Sequence, residues 1–170
     1  EDPNGTLVVS QFDQLNRINA KLITPAQGVS DDTTSETFEY DGLSRLVLAL
    51  DDDSRVERFY DSLSYVIEER LNGQVSMSSF DGVGNKLLSR YPGGREVIYT
   101  FDVLERRLAV SDQEGVISED LYVGPARLSQ RVRRNGTMTD YGYDGVKRPE
   151  SMVHTRDSVV EGSVFDSRQF

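Results

Sequence analysis

An aromatic residue followed by Asp recurs along this 170-residue chain at a nearly fixed interval, and this repeat constrains the fold more than any other feature. The copies begin at Phe12, Tyr40, Tyr60, Phe80, Phe101, Tyr122, Tyr143 and Phe165. Successive copies are 28, 20, 20, 21, 21, 21 and 22 residues apart, and the one long interval contains a polar insert at 25–34. We therefore predict a single repeat array over residues 1–170.

Three further positions keep the same register. The residue after the aromatic is Asp in every copy except one, where Val123 stands. An aliphatic residue occupies the third position after the aromatic in six copies, and Arg occupies the fifth in five. The arginines are Arg17, Arg45, Arg106, Arg127 and Arg148. Four columns that coincide at one period indicate one structural unit repeated along the chain.

The middle of each unit carries a second turn signal. These signals are 51–54, Asn72-Gly73, Gly93-Gly94, 113–115 and Asn135-Gly136. Asn-Gly and Gly-Gly between alternating segments are typical of β-hairpins, and the segments between them are rich in strand-forming residues. The predicted fold class is therefore all-β, an antiparallel meander of repeated hairpins of about 21 residues each, with no long helix. Some 15 strands at ~4.8 Å spacing would extend for roughly 70 Å, so sheet twist predicts curling into a spiral or part of a β-shell.

The fullest copy, YDGLSRL at 40–46, resembles the YD repeat of the Rhs (rearrangement hotspot) family. That family includes bacterial polymorphic toxins, insecticidal toxin complexes and animal teneurins. The resemblance extends from Phe12 to Phe170, although Tyr65 and Asn85 replace the motif Arg in two copies. It implies a sheet of hairpins that spirals into a hollow shell, which in bacterial members encloses a C-terminal toxin. On this resemblance the chain is a segment of a longer array in a secreted or surface-exposed protein.

We expect the motif residues to set the register between repeats. Each aromatic can pack on the aromatic of the next unit, and each Arg can close its turn with an Asp through charge-assisted hydrogen bonds. The residues assigned this role are Tyr40, Asp41, Arg45, Tyr60, Asp61, Phe80, Asp81, Phe101, Asp102, Arg106, Tyr122, Arg127, Tyr143, Asp144 and Arg148. The expected partners are neighbouring repeats or an enclosed toxin or cargo domain, and open sheet edges also favour edge-to-edge association of copies.

The charge balance argues against several partners. A net charge of -10 repels phosphate backbones, so no nucleic-acid partner is expected. The local basic group of Arg131, Arg133 and Arg134 is interpreted as a solvated face beside the Asn135-Gly136 turn, with an acidic partner or a sulfated glycan as the alternative. No run of 18 apolar residues exists, which argues against a membrane span, and the chain has no Cys.

No enzyme activity, cofactor or metal is predicted. The Asp triplet at 51–53 fits a solvated turn better than a calcium loop, because no Gly or distant Glu stands at ligand spacing. His154 is the sole histidine and is interpreted as an ordinary sheet residue rather than a general base. A glycosidase needs two carboxylates at one unique site, whereas these Asp residues recur by period.

The leading functional hypothesis is a structural segment of a β-shell that encloses or scaffolds a cargo, without catalysis. The alternative is a carbohydrate-binding or cell-adhesion module in which Tyr91, Tyr99 and Tyr141 stack on sugar rings. The apolar share, about 40% when Gly is counted and Tyr is not, is below the usual ~45–50% of a compact domain. The sequence therefore predicts a thin hydrophobic interior.

Overall fold

The structure, a computed structural model, describes residues 2–156 and the backbone of 163–169. Every regular element in this part is a β-strand, as the repeat predicts. The strands are β1 (Leu7–Phe12), β2 (Ile18–Thr24), β3 (Ser35–Tyr40), β4 (Leu46–Leu50), β5 (Arg55–Tyr60), β6 (Val66–Leu71), β7 (Gln74–Phe80), β8 (Lys86–Arg90), β9 (Glu96–Phe101), β10 (Arg107–Asp112), β11 (Gly115–Val123), β12 (Arg127–Arg133), β13 (Thr137–Tyr143), β14 (Pro149–Arg156) and β15 (Ser163–Gln169). The predicted all-β class is confirmed.

The chain divides into two compact units, residues 1–78 and 79–170, with the boundary inside β7. In the first unit, successive strands from β1 to β7 pair antiparallel with each other. In the second unit, β8 to β15 follow the same rule. Each unit is therefore a meander of hairpins, as the sequence predicts. That residues 1–170 form a single array stays a prediction.

Strand ends follow the repeat closely. The odd-numbered strands from β1 to β13 end at the motif aromatic, except β11, which runs one residue further to Val123. The insert at 25–34 is the connection between β2 and β3. The second turn signals fall between β4 and β5, β6 and β7, β8 and β9, β10 and β11, and β12 and β13. At one of them Asn72 and Gly73 have φ of 49° and 81°, the two positive values that a tight two-residue hairpin needs.

The motif turn uses a left-handed residue directly before the Arg position. The residues there are Asn16, Ser44, Ser64, Gly84, Glu105 and Lys147, with φ between 59° and 96°. In the turn of Asp41, the Ser44 N–H donates to the Asp41 carbonyl at 3.0 Å and the Asp41 N–H donates to the Arg45 carbonyl at 3.0 Å. A β-turn followed by one left-handed residue is a common hairpin loop, and it accounts for the register shift at Tyr40.

Glu105 is the least suitable residue in this column. A side chain with a Cβ is strained at its φ of 60°, whereas Gly84 occupies the equivalent place in an earlier unit. Glu105→Gly is expected to stabilise the protein by about 0.5 to 1 kcal/mol in urea unfolding. Lys147→Gly, at φ 71°, is the matched control, because it relieves the same strain with the opposite change of charge. A loss of stability in both variants would contradict the backbone explanation.

The interior is as thin as the composition predicts. Within residues 2–156, Val97 is the single buried hydrophobic side chain, while Thr139 and Asp120 are buried polar ones. Many strands are half-exposed along their length; β3, for example, alternates between exposed and partly buried residues. Stability must therefore depend on ladder hydrogen bonds and on contacts between neighbouring hairpins rather than on a central core. No helix in the described part is long and apolar enough to cross a membrane.

Candidate functional site

The motif carboxylate organises each repeat turn. Asp41 Oδ1 accepts the backbone N–H groups of Leu43 at 2.9 Å and Arg45 at 3.0 Å, and Asp41 Oδ2 accepts Arg45 Nε at 2.7 Å. The same arrangement recurs for Asp13 with Arg17, Asp102 with Arg106, and Asp144 with Arg148. The turn is thus closed by local contacts within the five residues from Asp41 to Arg45.

Two units that lack the motif Arg keep part of this arrangement. Asn85 Nδ2 donates to Asp81 Oδ2 at 2.9 Å, so an amide stands where the guanidinium would be. Asp61 accepts the backbone N–H groups of Leu63 and Tyr65, each at 2.9 Å. The carboxylate and the backbone therefore form the turn even without the Arg side chain.

The motif Arg also reaches the following repeat. The Arg45 guanidinium lies 4.6 Å from the ring centroid of Tyr60, and the Tyr60 hydroxyl donates to the Leu46 carbonyl at 2.7 Å. Arg17 with Tyr40, Arg106 with Tyr122 and Arg127 with Tyr143 repeat both contacts, at 4.5, 4.6 and 5.4 Å from the ring. We call the set of a motif Asp, its Arg and the following Tyr the Asp–Arg–Tyr contact; in the Arg127–Tyr143 copy Val123 replaces the Asp, and only the Arg–Tyr part recurs. It joins each such repeat to the next.

A third group of bonds connects the Arg to the next turn. Arg45 Nη1 donates to the Asp61 carbonyl at 3.0 Å and to Ser64 Oγ at 3.1 Å. Arg17 Nη1 likewise donates to Ser44 Oγ at 3.0 Å, and Arg106 Nη1 donates to the Gly124 carbonyl at 2.7 Å. One guanidinium therefore binds its own Asp, the next ring and the next turn.

The expectation that each motif ring packs on the next ring missed this cation–π contact, although the sequence contains a signal for it. The Tyr copies 40, 60, 122 and 143 all follow a unit that has the motif Arg. Phe80 and Phe101 follow the units in which Tyr65 and Asn85 replace it. Phe165 follows Arg148, but its side chain lies outside the described residues. Ring identity is thus matched to the preceding unit in six of the seven copies that follow another unit, and Phe165 is the exception.

The turn hydrogen bonds lower the pKa of five motif carboxylates, those of Asp13, Asp41, Asp81, Asp102 and Asp144. For Asp41 the main cause is the backbone N–H of Arg45, followed by its side chain, whereas for Asp102 it is the Arg106 side chain. The pKa of Asp13 and Asp144 is lowered in the same way. Since the folded pKa lies below the unfolded value near 4, ionisation stabilises the fold at higher pH. This contribution is lost as pH falls through the folded pKa.

We therefore expect acid to destabilise the protein below about pH 4. The urea midpoint should be nearly constant from about pH 7 to pH 5 and should fall steadily towards about pH 2. Asp102→Asn removes one of these titrations, while the amide oxygen can still accept the hydrogen bonds of the turn N–H groups or of Arg106, so its midpoint should fall less steeply. A midpoint that stays constant down to about pH 2 would rule out the carboxylate contribution.

A second cluster surrounds Asp120 in β11. This side chain, whose residue is 3% exposed, accepts Arg107 Nη2 at 2.9 Å, Arg131 Nε at 2.5 Å and Arg131 Nη2 at 2.8 Å. Burial raises the pKa of Asp120, but the hydrogen bonds from Arg131 and Arg107 outweigh it and the pKa is lowered. Arg131 is therefore not the solvated surface charge that its sequence context predicts, because β11 places a buried carboxylate opposite it.

The other two arginines of the basic group are also engaged. Arg133 Nη1 donates to Thr139 Oγ1 at 3.0 Å, and that hydroxyl lies 2.9 Å from His154 Nδ1 in β14. Arg134 binds Asp112 and, at 2.9 Å, Glu114. An open recess of about 560 Å³ is lined by Arg107, Ile117, Ser118, Arg131, Arg133, Arg134 and Asn135. Carboxylates pair three of its four arginines, so its net positive charge is small.

The Asp triplet at 51–53 forms hydrogen bonds within the protein and, in the described part of the chain, is not part of a metal-binding group. Within the Asp triplet, Asp51 accepts bonds from Ser54, and Asp52 accepts bonds from Thr34 and Ser35, as in an ordinary capped turn. Among residues 2–156 no group of three His, Cys, Asp or Glu side chains is placed to hold a metal ion.

The three tyrosines proposed for sugar stacking occupy three different places. Tyr91 is exposed in the turn after β8, whereas Tyr99 in β9 and Tyr141 in β13 are half-buried. β13 is the fourth strand after β9, so four inter-strand spacings, or about 19 Å at ~4.8 Å each, lie between them. The structure does not bring these rings together into one platform.

Comparison with solved structures supports the same architecture. A crystal structure of TcdB2-TccC3 matches with a TM-score of 0.77 at 13% identity, and the Photorhabdus luminescens Tc holotoxin pore matches at 0.76 and 14%. A TcdB2-TccC3 structure without its hypervariable C-terminal region also matches at 0.76 and 15%. Each match covers 98% of this chain and 10% of the solved chain. No family model and no curated protein matches the sequence.

At this level of identity the comparison shows the fold. The chain has the fold of a segment of an Rhs-type repeat shell, which confirms the resemblance found in the sequence at the level of architecture. It spans about a tenth of the length of the solved chains that it matches.

Proposed function

We propose that this chain is a wall segment of an Rhs-like β-shell that encloses or scaffolds a cargo such as a toxin domain, and that the segment itself performs no catalysis. The observation that carries the proposal is the Asp–Arg–Tyr contact, which recurs from repeat to repeat and joins successive hairpins. A unique catalytic site needs one special arrangement, whereas this chemistry is distributed along the array.

The engagement of the carboxylates supports a structural role. Motif Asp residues accept two backbone N–H groups of their own turn, and most also bind an Arg or Asn side chain. Asp120 is held by two arginines. These groups stabilise the wall, and the proposed location of the whole protein is extracellular, either secreted or on a cell surface, by analogy with the toxin complexes.

Protease protection in the full-length protein that contains this segment tests the enclosure. We expect a cargo domain to resist cleavage in the assembled protein and to be cut rapidly when expressed alone. Arg45→Ala combined with Arg106→Ala should expose the cargo at a lower urea concentration, whereas Glu114→Ala, at an exposed ion pair, should not. A protein that contains no protected domain would overturn the enclosure proposal.

The carbohydrate-binding alternative has less support, because Tyr99 and Tyr141 are half-buried and far apart along the sheet. Glycan-array binding decides between the two functions. A specific sugar whose binding is lost in Tyr91→Ala or Tyr99→Ala would favour the adhesion module over the wall segment.

A further inference from the structure

The repeat turns of the first unit place a leucine at the same position three times. Leu15, Leu43 and Leu63 lie in the connections β1–β2, β3–β4 and β5–β6, and they are 67%, 70% and 57% exposed. Alternate turns of a meander lie along the same side of the sheet, so these leucines form a row, which we call the leucine rim. Neighbouring members are two strands apart, or roughly 10 Å.

The leucine rim is held in a fixed geometry. The backbone N–H of Leu15 donates to Asp13 Oδ1 at 2.8 Å, and Leu43 and Leu63 make the same bond to their motif Asp at 2.9 Å. A left-handed residue follows each leucine. The same turn geometry therefore places all three leucine side chains, and their exposure is a property of the repeat rather than of single residues.

The connections on the opposite side of the first unit are polar. They are the polar insert 25–34, the acidic turn 51–54 and Asn72-Gly73. The residues that flank the leucines, by contrast, carry no charge: Gln14, Asn16, Gly42, Ser44, Ser62 and Ser64. In a chain of net charge -10, the leucine rim is a surface along which two copies can approach with little repulsion.

We propose that the leucine rim is an interaction surface for a second copy of this chain, with the two rims facing each other across a twofold axis. A partner for this row must offer apolar groups at the same roughly 10 Å spacing, and the rim itself meets that requirement. Because Leu43 is two strands from both Leu15 and Leu63, a twofold axis at Leu43 sets Leu43 against its copy and Leu15 against Leu63. The pairing removes exposed apolar surface from water on both sides.

Disulfide trapping tests this arrangement directly, because the chain has no Cys of its own. Leu43→Cys places one thiol at the centre of the rim. The matched controls are Asp53→Cys in the acidic turn and Val8→Cys on the exposed strand β1, which reports edge-to-edge pairing. We expect Leu43→Cys to form a covalent dimer at least about tenfold faster than either control, and we expect the difference to vanish in urea. Equal rates, or fastest trapping of Val8→Cys, would overturn the rim proposal.

Sedimentation of the cysteine-free chain gives an independent measurement. Leu15→Ser with Leu63→Ser introduces a residue that neighbouring turns already contain, so folding should be kept, and circular dichroism checks this. We expect the dimer dissociation constant to rise about 100-fold, since the twofold interface contains two Leu15–Leu63 pairs and loss of each pair weakens association about tenfold. Asp53→Ser should leave it unchanged. A wild-type chain that stays monomeric, or a double variant that associates as well as wild type, would refute the proposal.

Discussion

Asp120→Ala is expected to lower the free energy of unfolding by about 2 to 3 kcal/mol. The substitution removes the carboxylate that Arg107 and Arg131 share, and the two guanidinium groups then face each other across β11 without a counterion. Breaking one side of a buried ion cluster costs about 3 to 5 kcal/mol, and the partial exposure of both arginines reduces that figure here.

The control for this prediction is Glu114→Ala in the same unit. Glu114 also pairs with an arginine, Arg134, but its side chain is 83% exposed, so its loss should cost less than about 1 kcal/mol. The triple replacement Asp120→Leu, Arg107→Met and Arg131→Met should recover much of the lost stability, because it removes the charges together. Similar urea midpoints for Asp120→Ala and Glu114→Ala would show that burial of the cluster contributes nothing.

Arg45→Ala is expected to destabilise the first unit by about 2 kcal/mol. The guanidinium binds Asp41, covers the Tyr60 ring and donates to the Asp61 carbonyl, so truncation disrupts two turns at once. Arg55→Ala is the matched control, since Arg55 pairs with Glu57 at the exposed end of β5 and its loss should leave the urea midpoint almost unchanged.

A double-mutant cycle separates the two sides of the Arg45 contact. We expect a coupling of about 1 kcal/mol between Arg45→Ala and Tyr60→Ala, measured by urea unfolding of the two single variants and the double variant. A coupling indistinguishable from zero would mean that the cation–π geometry does not join the repeats. The same cycle on Asp102 and Arg106 reports the carboxylate side within one turn.

Much of the fold follows from the period of the sequence. The aromatic marks the end of a strand, and Asn-Gly and Gly-Gly mark the intervening turns, because both signals act within a few residues. Local chemistry determines where each strand ends and where each turn forms, so every repeat adopts the same arrangement. Phe12, for example, is the first motif aromatic and the last residue of β1.

Contacts between strands were harder to predict. Asp120 has no motif context, and its position opposite Arg131 depends on a register that shifts at Leu121 and again at Val110. A slip of one residue would turn the carboxylate to the other face of the sheet. The match between the motif Arg and the next Tyr is present in the sequence, but aromatic periodicity alone does not distinguish a ring covered by a guanidinium from a ring stacked on another ring.

Within each unit, the pairing of successive strands with one another has a consequence for how the protein is made. In each unit the partners of a strand lie within about one repeat along the chain, so few long loops must close before contacts form. A hairpin can therefore fold soon after it leaves the ribosome or a translocation pore, and each new hairpin finds its template already in place. The sheet of each unit can therefore grow in one direction, strand by strand in chain order, without residues that are synthesised much later.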